Sequence, residues 1–213
     1  MKANIIYLII PFLFIGCNGN TNKRNESNID TVSTTERDVL INSKDALTNK
    51  ADSLVKFFRE KDYINFFYIF PDNFDDFIDI YGFSEENSSN LYDEAYSHIV
   101  FLFEGGDNIE SHLFKEKIYG ITQFSSWDAD AYNYLCDNTE ISIVSDFDNW
   151  IEYLNKKPDS CNYMFWHFIY DGPDMNFSDN EKMLYDLIKE NYPNHARIID
   201  ESLDSIRHEW KHE

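Results

Sequence analysis

Basic residues are scarce in this chain, and that scarcity limits what it can bind: 18 Lys and Arg face 39 Asp and Glu, a formal charge of −21 at pH 7. A surface of that sign repels nucleic acid and anionic lipid headgroups, and it draws in basic partners with salt-dependent on-rates. Nucleic acid is therefore excluded as a natural partner. The chain also lacks a glycine-rich phosphate loop and a Gly-x-Ser-x-Gly nucleophile elbow, which removes two common routes to phosphoryl and acyl transfer. Long apolar runs are missing too. The longest, Ile5 to Ile15, holds 11 residues, against the roughly 20 needed to cross the hydrocarbon layer.

What is present begins with that short run. Lys2 precedes it, the small Gly16 and a thiol, Cys17, close it, and the sequence then turns abruptly polar at Asn18. This is the pattern of an export signal rather than of a permanent span. Phe14-Ile15-Gly16-Cys17 resembles the lipobox of bacterial lipoproteins. That resemblance implies thioether attachment of diacylglycerol to Cys17, removal of residues 1–16 as a signal peptide, and acylation of the new N-terminus at Cys17. Each buried methylene contributes about 0.8 kcal/mol and two acyl signals already anchor stably, so three chains would fix the protein in the membrane. By the same resemblance, Asn18 in place of an aspartate implies the outer membrane, facing the periplasm. The competing reading is an ordinary secretory signal whose cysteine is incidental.

Residues 17–42 then form the lipidated cysteine and a tether rich in Asn, Thr and Ser without an aromatic residue. Such composition cannot offset the entropy of ordering, so the segment is expected to be flexible. Residues before 43 carry four basic and four acidic side chains, so the whole excess of negative charge belongs to residues 43–213. This segment is the length of one ordinary domain.

Within the domain, apolar residues recur at spacings of three and four, and Gly, Pro, Asn and Asp interrupt them at helix-length intervals. The fold class is therefore all-α, with about eight or nine helices arranged as an irregular bundle or a short superhelical stack of antiparallel helix pairs. Pro71-Asp72, Ser125 or Ser126, and Ser178-Asp179-Asn180 read as helix starts, Ser84 or Ser88 as a cap before Leu91, and Gly82 as a left-handed helix terminator. One rival stands: Ile141, Ile143, Val144 and Phe147 are β-prone and partly alternate, which admits a small strand.

Aromatic residues make up 17% of the chain. Most are expected in the core, with a minority left exposed beside acids as anchors for a cationic protein. His208-Glu209-Trp210-Lys211-His212 matches the zinc-binding His-Glu-x-x-His pattern, but only Glu213 follows and no third ligand is available downstream. No metal site and no cofactor is assigned, and these histidines are read as solvated groups at a helix C-terminus. Asp72, Asp75, Asp76, Asp79, Asp128, Asp130, Asp146 and Asp148 are read as helix-start and solvated acids, since no calcium-loop spacing is met. Cys136 and Cys161 are candidates for a disulfide in an exported domain, with two buried thiols as the alternative. His167, among aromatic residues, is expected to be a hydrogen-bonded core histidine.

A lipobox, a tether and an acidic, aromatic-rich helical domain together resemble the immunity lipoproteins that antagonistic bacteria place in the envelope. That resemblance implies a non-enzymatic, protein-binding module that occludes the basic active-site cleft of a toxin. It transfers no binding residue. The alternatives are a structural or assembly lipoprotein of the envelope and, less well supported, a zinc hydrolase using the terminal histidines.

Overall fold

The computed structural model describes residues 34–83, 91–127, 130–172 and 178–210. The lipobox, Cys17, Ser84, Ser88, Asp128, Lys211, His212 and Glu213 lie outside the described residues. Ten α-helices follow one another with no strand among the described residues. They are α1 (Thr34–Glu60), α2 (Tyr63–Ile69), α3 (Phe74–Tyr81), α4 (Ala95–Glu104), α5 (Ser111–Ile121), α6 (Asp130–Ser145), α7 (Phe147–Leu154), α8 (Asp159–Tyr170), α9 (Asp179–Asn191) and α10 (Pro193–Glu209), with a short 3₁₀ turn at Gly106–Asn108. The all-α expectation holds, with slightly more and shorter helices than the spacing suggested. Among these helices none is long and apolar enough to cross a membrane.

Local chemistry sets several boundaries. Asp62 and Asn73 cap α2 and α3 by accepting from the backbone N–H groups of Asn65 and Asp76. Ser178 and Glu181 form a reciprocal capping box at α9, and Pro193 opens α10 where its missing N–H costs nothing. Other boundaries differ from the sequence reading. α1 begins at Thr34, inside the segment assigned to the tether. Val39 and Leu40 stand seven residues ahead of Ala46 and Leu47, so the helical period carries on upstream. Gly82 leaves α3 in an extended conformation, φ −69° and ψ 154°, not a left-handed one. The left-handed terminator is instead Lys61, φ 57°, where the Asp62 and Lys61 N–H groups return to the carbonyls of Phe57 and Phe58. Ser125 donates to the carbonyl of Thr122 and does not cap α6.

The proposed strand is part of α6. Leu135, Thr139 and Ile143 are fully buried at a spacing of four, so packing overrides the β preference of the Ile-rich run.

The helices stack in two layers. Even-numbered helices touch in succession, α2 with α4, α4 with α6, α6 with α8 and α8 with α10, while α1, α3, α5 and α7 touch in a second series. Helix α9 joins neither series and packs on α6 and α10. Contacts give the direction of neighbours within a layer: Asp130, Tyr134 and Ile141 of α6 stand beside Tyr92, Tyr96 and Phe103, so α4 and α6 run parallel. Likewise Arg197 meets Asp159 near the start of α8, and Trp210 meets Asp171 just after its end.

The interior is largely aromatic. Trp150, Trp166, Tyr81, Tyr132, Phe66, Phe70, Phe77, Phe101, Phe165 and Phe168 are all fully buried, and tilted or edge-on ring pairs connect them. Lys117 is buried with them because its ammonium donates to the carbonyl of Phe70 and to Asp72, stapling α5 to the link between α2 and α3. Gly120 lies on the same approach. A β-carbon there would sit 2.7 Å from the backbone oxygen of Asp72, so only glycine admits the contact.

Candidate protein-binding face and cleft

Between Asp62 and Asn155 the sequence contains only two basic residues, Lys115 and Lys117, against 20 Asp and Glu. Both are buried and both are ion-paired, Lys115 with Asp146 and Lys117 with Asp72. Helices α2 to α7 therefore present no lysine or arginine ammonium or guanidinium freely to solvent. The signal is legible in sequence, but total charge alone hides it, because a net count does not tell where the scarce cations are spent.

On this surface α4 and α6 carry a row of apolar groups, of which Tyr96 and Ile141 are exposed and Phe103 and Tyr134 half-buried. The parallel register sets Tyr96 against Tyr134, ring centroids 5.3 Å apart and edge-on, and Phe103 beside Ile141 farther along. Tyr96 and Ile141 are each 57% exposed. Asp93, Glu94, Glu104, Asp107, Asp130 and Asp137, on or beside the same two helices, are all exposed. Tyr92 donates to Asp130 at 2.5 Å, and this bond, with burial and the neighbouring charges behind it, pushes the phenol up to about 12.

The row ends in a cleft of about 640 Å³ lined by α5, α6, α7 and the 3₁₀ turn. Lys115, only 4% exposed, crosses its floor, donates to Ser111 and to Asp146 at 2.6 and 2.8 Å, and lies over the Trp150 ring. Trp150 donates its indole N–H to Ser142 Oγ. Burial alone would raise the Asp146 carboxyl, but the hydrogen bonds from Lys115 and Asn149 prevail and hold it below its ordinary value. The carboxylate is thus charged and half-exposed at the rim.

A second constellation joins Glu116, Tyr153 and Lys157. Tyr153 and Lys157 donate to Glu116 Oε2 at 2.7 and 2.6 Å, and the Lys157 ammonium lies over the Tyr153 ring. Burial and the adjacent carboxylate push the Tyr153 phenol far up, which is the wrong direction for a base. This cluster ties α5 to α7 and the start of α8.

The residues singled out in sequence are dispersed. Glu209 accepts from Ser205 and stands 3.3 Å from Nε2 of His167, whose side chain is 14% exposed. His208 is exposed. Among the described residues no three His, Cys, Asp or Glu gather as metal ligands. Asp76 pairs with Lys50 at 3.0 Å, and Asp75 and Asp148 stand in the first turns of α3 and α7. Asp79 is raised by burial and by Asp76 and Asp75.

The Cys136–Cys161 pairing is corrected. Cys136 is a free, buried thiol whose sulfur lies 3.4 and 3.8 Å from the carbonyls of Ile169 and Phe168 at the end of α8. Cys161 stands in the first turn of that helix, eight residues earlier and so about 12 Å along the axis, beyond disulfide reach. Burial, reinforced by Glu140, pushes the Cys136 thiol well up, so it is not a nucleophile.

Comparison of the chain with protein-family models, with curated proteins and with solved structures gives no match.

Proposed function

We infer that this protein is an envelope lipoprotein held in the membrane through Cys17 that acts as a non-enzymatic binding module for a basic protein. The observation that carries this reading is the α4–α6 face: exposed Tyr96 and Ile141 on helices that also bear exposed acids, on a stretch whose only two cations are buried and paired. Aromatic anchors on an acidic surface suit Arg- and Lys-bearing partners through cation–π and charge pairing. The partner class most consistent with the lipobox and the acidic helical body is a cationic toxin, and the mode is occlusion of its basic cleft, as in immunity lipoproteins.

Two experiments address the two halves. Cys17→Ser should abolish incorporation of labelled palmitate and shift the chain from the membrane fraction to the soluble fraction; unchanged labelling would refute the anchor. For the partner, cells producing the full chain should survive a cationic toxin secreted by a competitor, and the two proteins should bind with an affinity that falls steeply with salt. Tyr96→Ala with Ile141→Asp should weaken that binding by about tenfold or more, the scale of an interface hot spot. Protection and affinity unchanged in this variant would remove the face from the interaction.

A further inference from the structure

We propose that the cleft between α5, α6 and α7 is a site for a neutral saccharide, held by its hydroxyl groups and by one face of its ring. This site goes beyond the reading of a basic protein partner, and either can stand without the other.

Four neutral side chains of the lining keep free hydrogen-bonding capacity of both kinds. Ser111 Oγ accepts from Lys115 at 2.6 Å and Ser142 Oγ from the Trp150 indole at 3.1 Å, so each hydroxyl retains its own O–H and a second lone pair. Asn138 gives one N–H to the carbonyl of Tyr134 at 2.8 Å, and Asn149 gives one to Asp146 Oδ1 at 2.5 Å. Each amide retains its second N–H and its Oδ1, which meet no further partner among the described residues. Asn138 and Ser142 stand one turn apart on α6, while Ser111 and Asn149 come from the first turns of α5 and α7. Charge contributes less. Lys115 is 4% exposed and paired with Asp146 at 2.8 Å, which leaves the exposed Asp107 as the one unbalanced ion of the lining.

These valences discriminate between ligand classes. An anion would meet Asp107 and no cation that is not already paired. An ammonium or guanidinium brings donors only, and would leave the free N–H and O–H groups of the four side chains unanswered. An extended peptide binds by pairing with a sheet edge, and the walls here are helices, whose backbone groups are spent internally. A sugar hydroxyl donates and accepts at one oxygen, so the hydroxyls of a ring can answer all four groups in both senses. The C–H face of the ring has its own seat, since Phe103, Ile109 and the 57% exposed Ile141 line the same cleft. At about 640 Å³ the cleft is of small-ligand size and has room for a short oligosaccharide.

The test uses the full chain in a detergent without a sugar headgroup, titrated with three neutral trisaccharides: maltotriose, cellotriose and triacetylchitotriose. Trigalacturonate and blocked triglycine serve as the anionic and peptide counterparts. At least one neutral trisaccharide should bind with a Kd of about 1 mM or tighter and shift the side-chain amide resonances of Asn138 and Asn149. That affinity should change by less than about twofold as salt is raised, whereas binding of a basic protein should fall steeply. Asn149→Leu, at an exposed position, should weaken it about threefold, and Asn138→Leu with Asn149→Leu about tenfold or more. Asn191→Leu on α9, which loses the same kind of bond to a carbonyl four residues back, should leave it unchanged. No neutral trisaccharide bound, trigalacturonate or triglycine bound as tightly, or an affinity untouched by Asn149→Leu would overturn the saccharide site and leave the acidic binding face standing.

Discussion

Trp166→Ala is expected to remove about 3 to 5 kcal/mol of stability, enough to leave much of the domain unfolded at ambient temperature. Trp166 is fully buried on α8 and packs toward α10, the most extensive helix pairing in the fold. Its indole N–H donates to His195 Nδ1 at 3.3 Å, which requires the proton of a neutral imidazole to sit on Nε2; that proton is donated in turn to Asn155 Oδ1 at 3.1 Å. Burial lowers the His195 pKa, against the pull of Asp159, and so favours the neutral ring this chain of bonds needs. Alanine would open a large cavity and also leave Nδ1 of a buried histidine unpaired, a cost of roughly 1 to 3 kcal/mol that belongs to the same range of loss. Trp166→Phe keeps most of the apolar contact and isolates the hydrogen bond, so it should cost less than half as much. Urea unfolding followed by far-ultraviolet circular dichroism measures both. A loss below about 1 kcal/mol for the alanine variant would mean that the α8–α10 seam is not a main source of stability.

The seam also shows which features could be read from sequence. Its apolar positions on α10, Ile198, Ile199, Leu203 and Ile206, recur at helical spacing, and all four are buried. Capping was legible where a side chain acts on its own backbone, as at Ser178, because that chemistry is local. It was not legible at Lys61, because no local pattern marks a lysine as left-handed, and the seat of its ammonium over Phe58 and Phe101 is a tertiary circumstance. The strand-like run in α6 failed for the same reason: β preference is a weak local term, and the burial of Thr139 and Ile143 against other helices outweighs it. The binding face was half legible. The absence of exposed cations from Asp62 to Asn155 is written in the chain, but the parallel register that sets Tyr134 against Tyr96 arises only when α5 returns the chain between two helices.

The second large effect is on pH dependence, and here two buried groups act in opposite directions. Glu140 is 4% exposed. Burial first, then the charges of Glu181 and Asp137, raise its carboxyl to about 8, opposed only by a weak bond from the Cys136 thiol. A raised acid is one the folded state keeps protonated, so its contribution is fully present below the unfolded value near 4.5 and is lost as pH rises toward 8. His98 has the opposite sign. Fully buried among Phe58, Phe66 and Tyr81, with Nδ1 in hydrogen-bond contact with the Tyr81 hydroxyl at 3.1 Å, it is lowered by burial to about 4. Its contribution is present above 6.5 and is lost as pH falls toward 4. The two windows overlap between 4.5 and 6.5, where the opposite slopes offset each other, so stability should hold a plateau there and decline outside it, by about 2 kcal/mol up to pH 8 and by less than about 1 kcal/mol down to pH 4 at about 1.4 kcal/mol per pKa unit. Glu140→Gln keeps the shape of the protonated side chain and cannot ionise, so it should leave stability at pH 5 nearly unchanged and raise it at pH 8.5, removing the alkaline decline alone. Unfolding free energies from urea titrations at those two pH values decide the matter. If the wild-type and Glu140→Gln curves stay parallel, Glu140 is already ionised in the folded domain, and the alkaline side of the profile must come from the many surface carboxylates repelling one another.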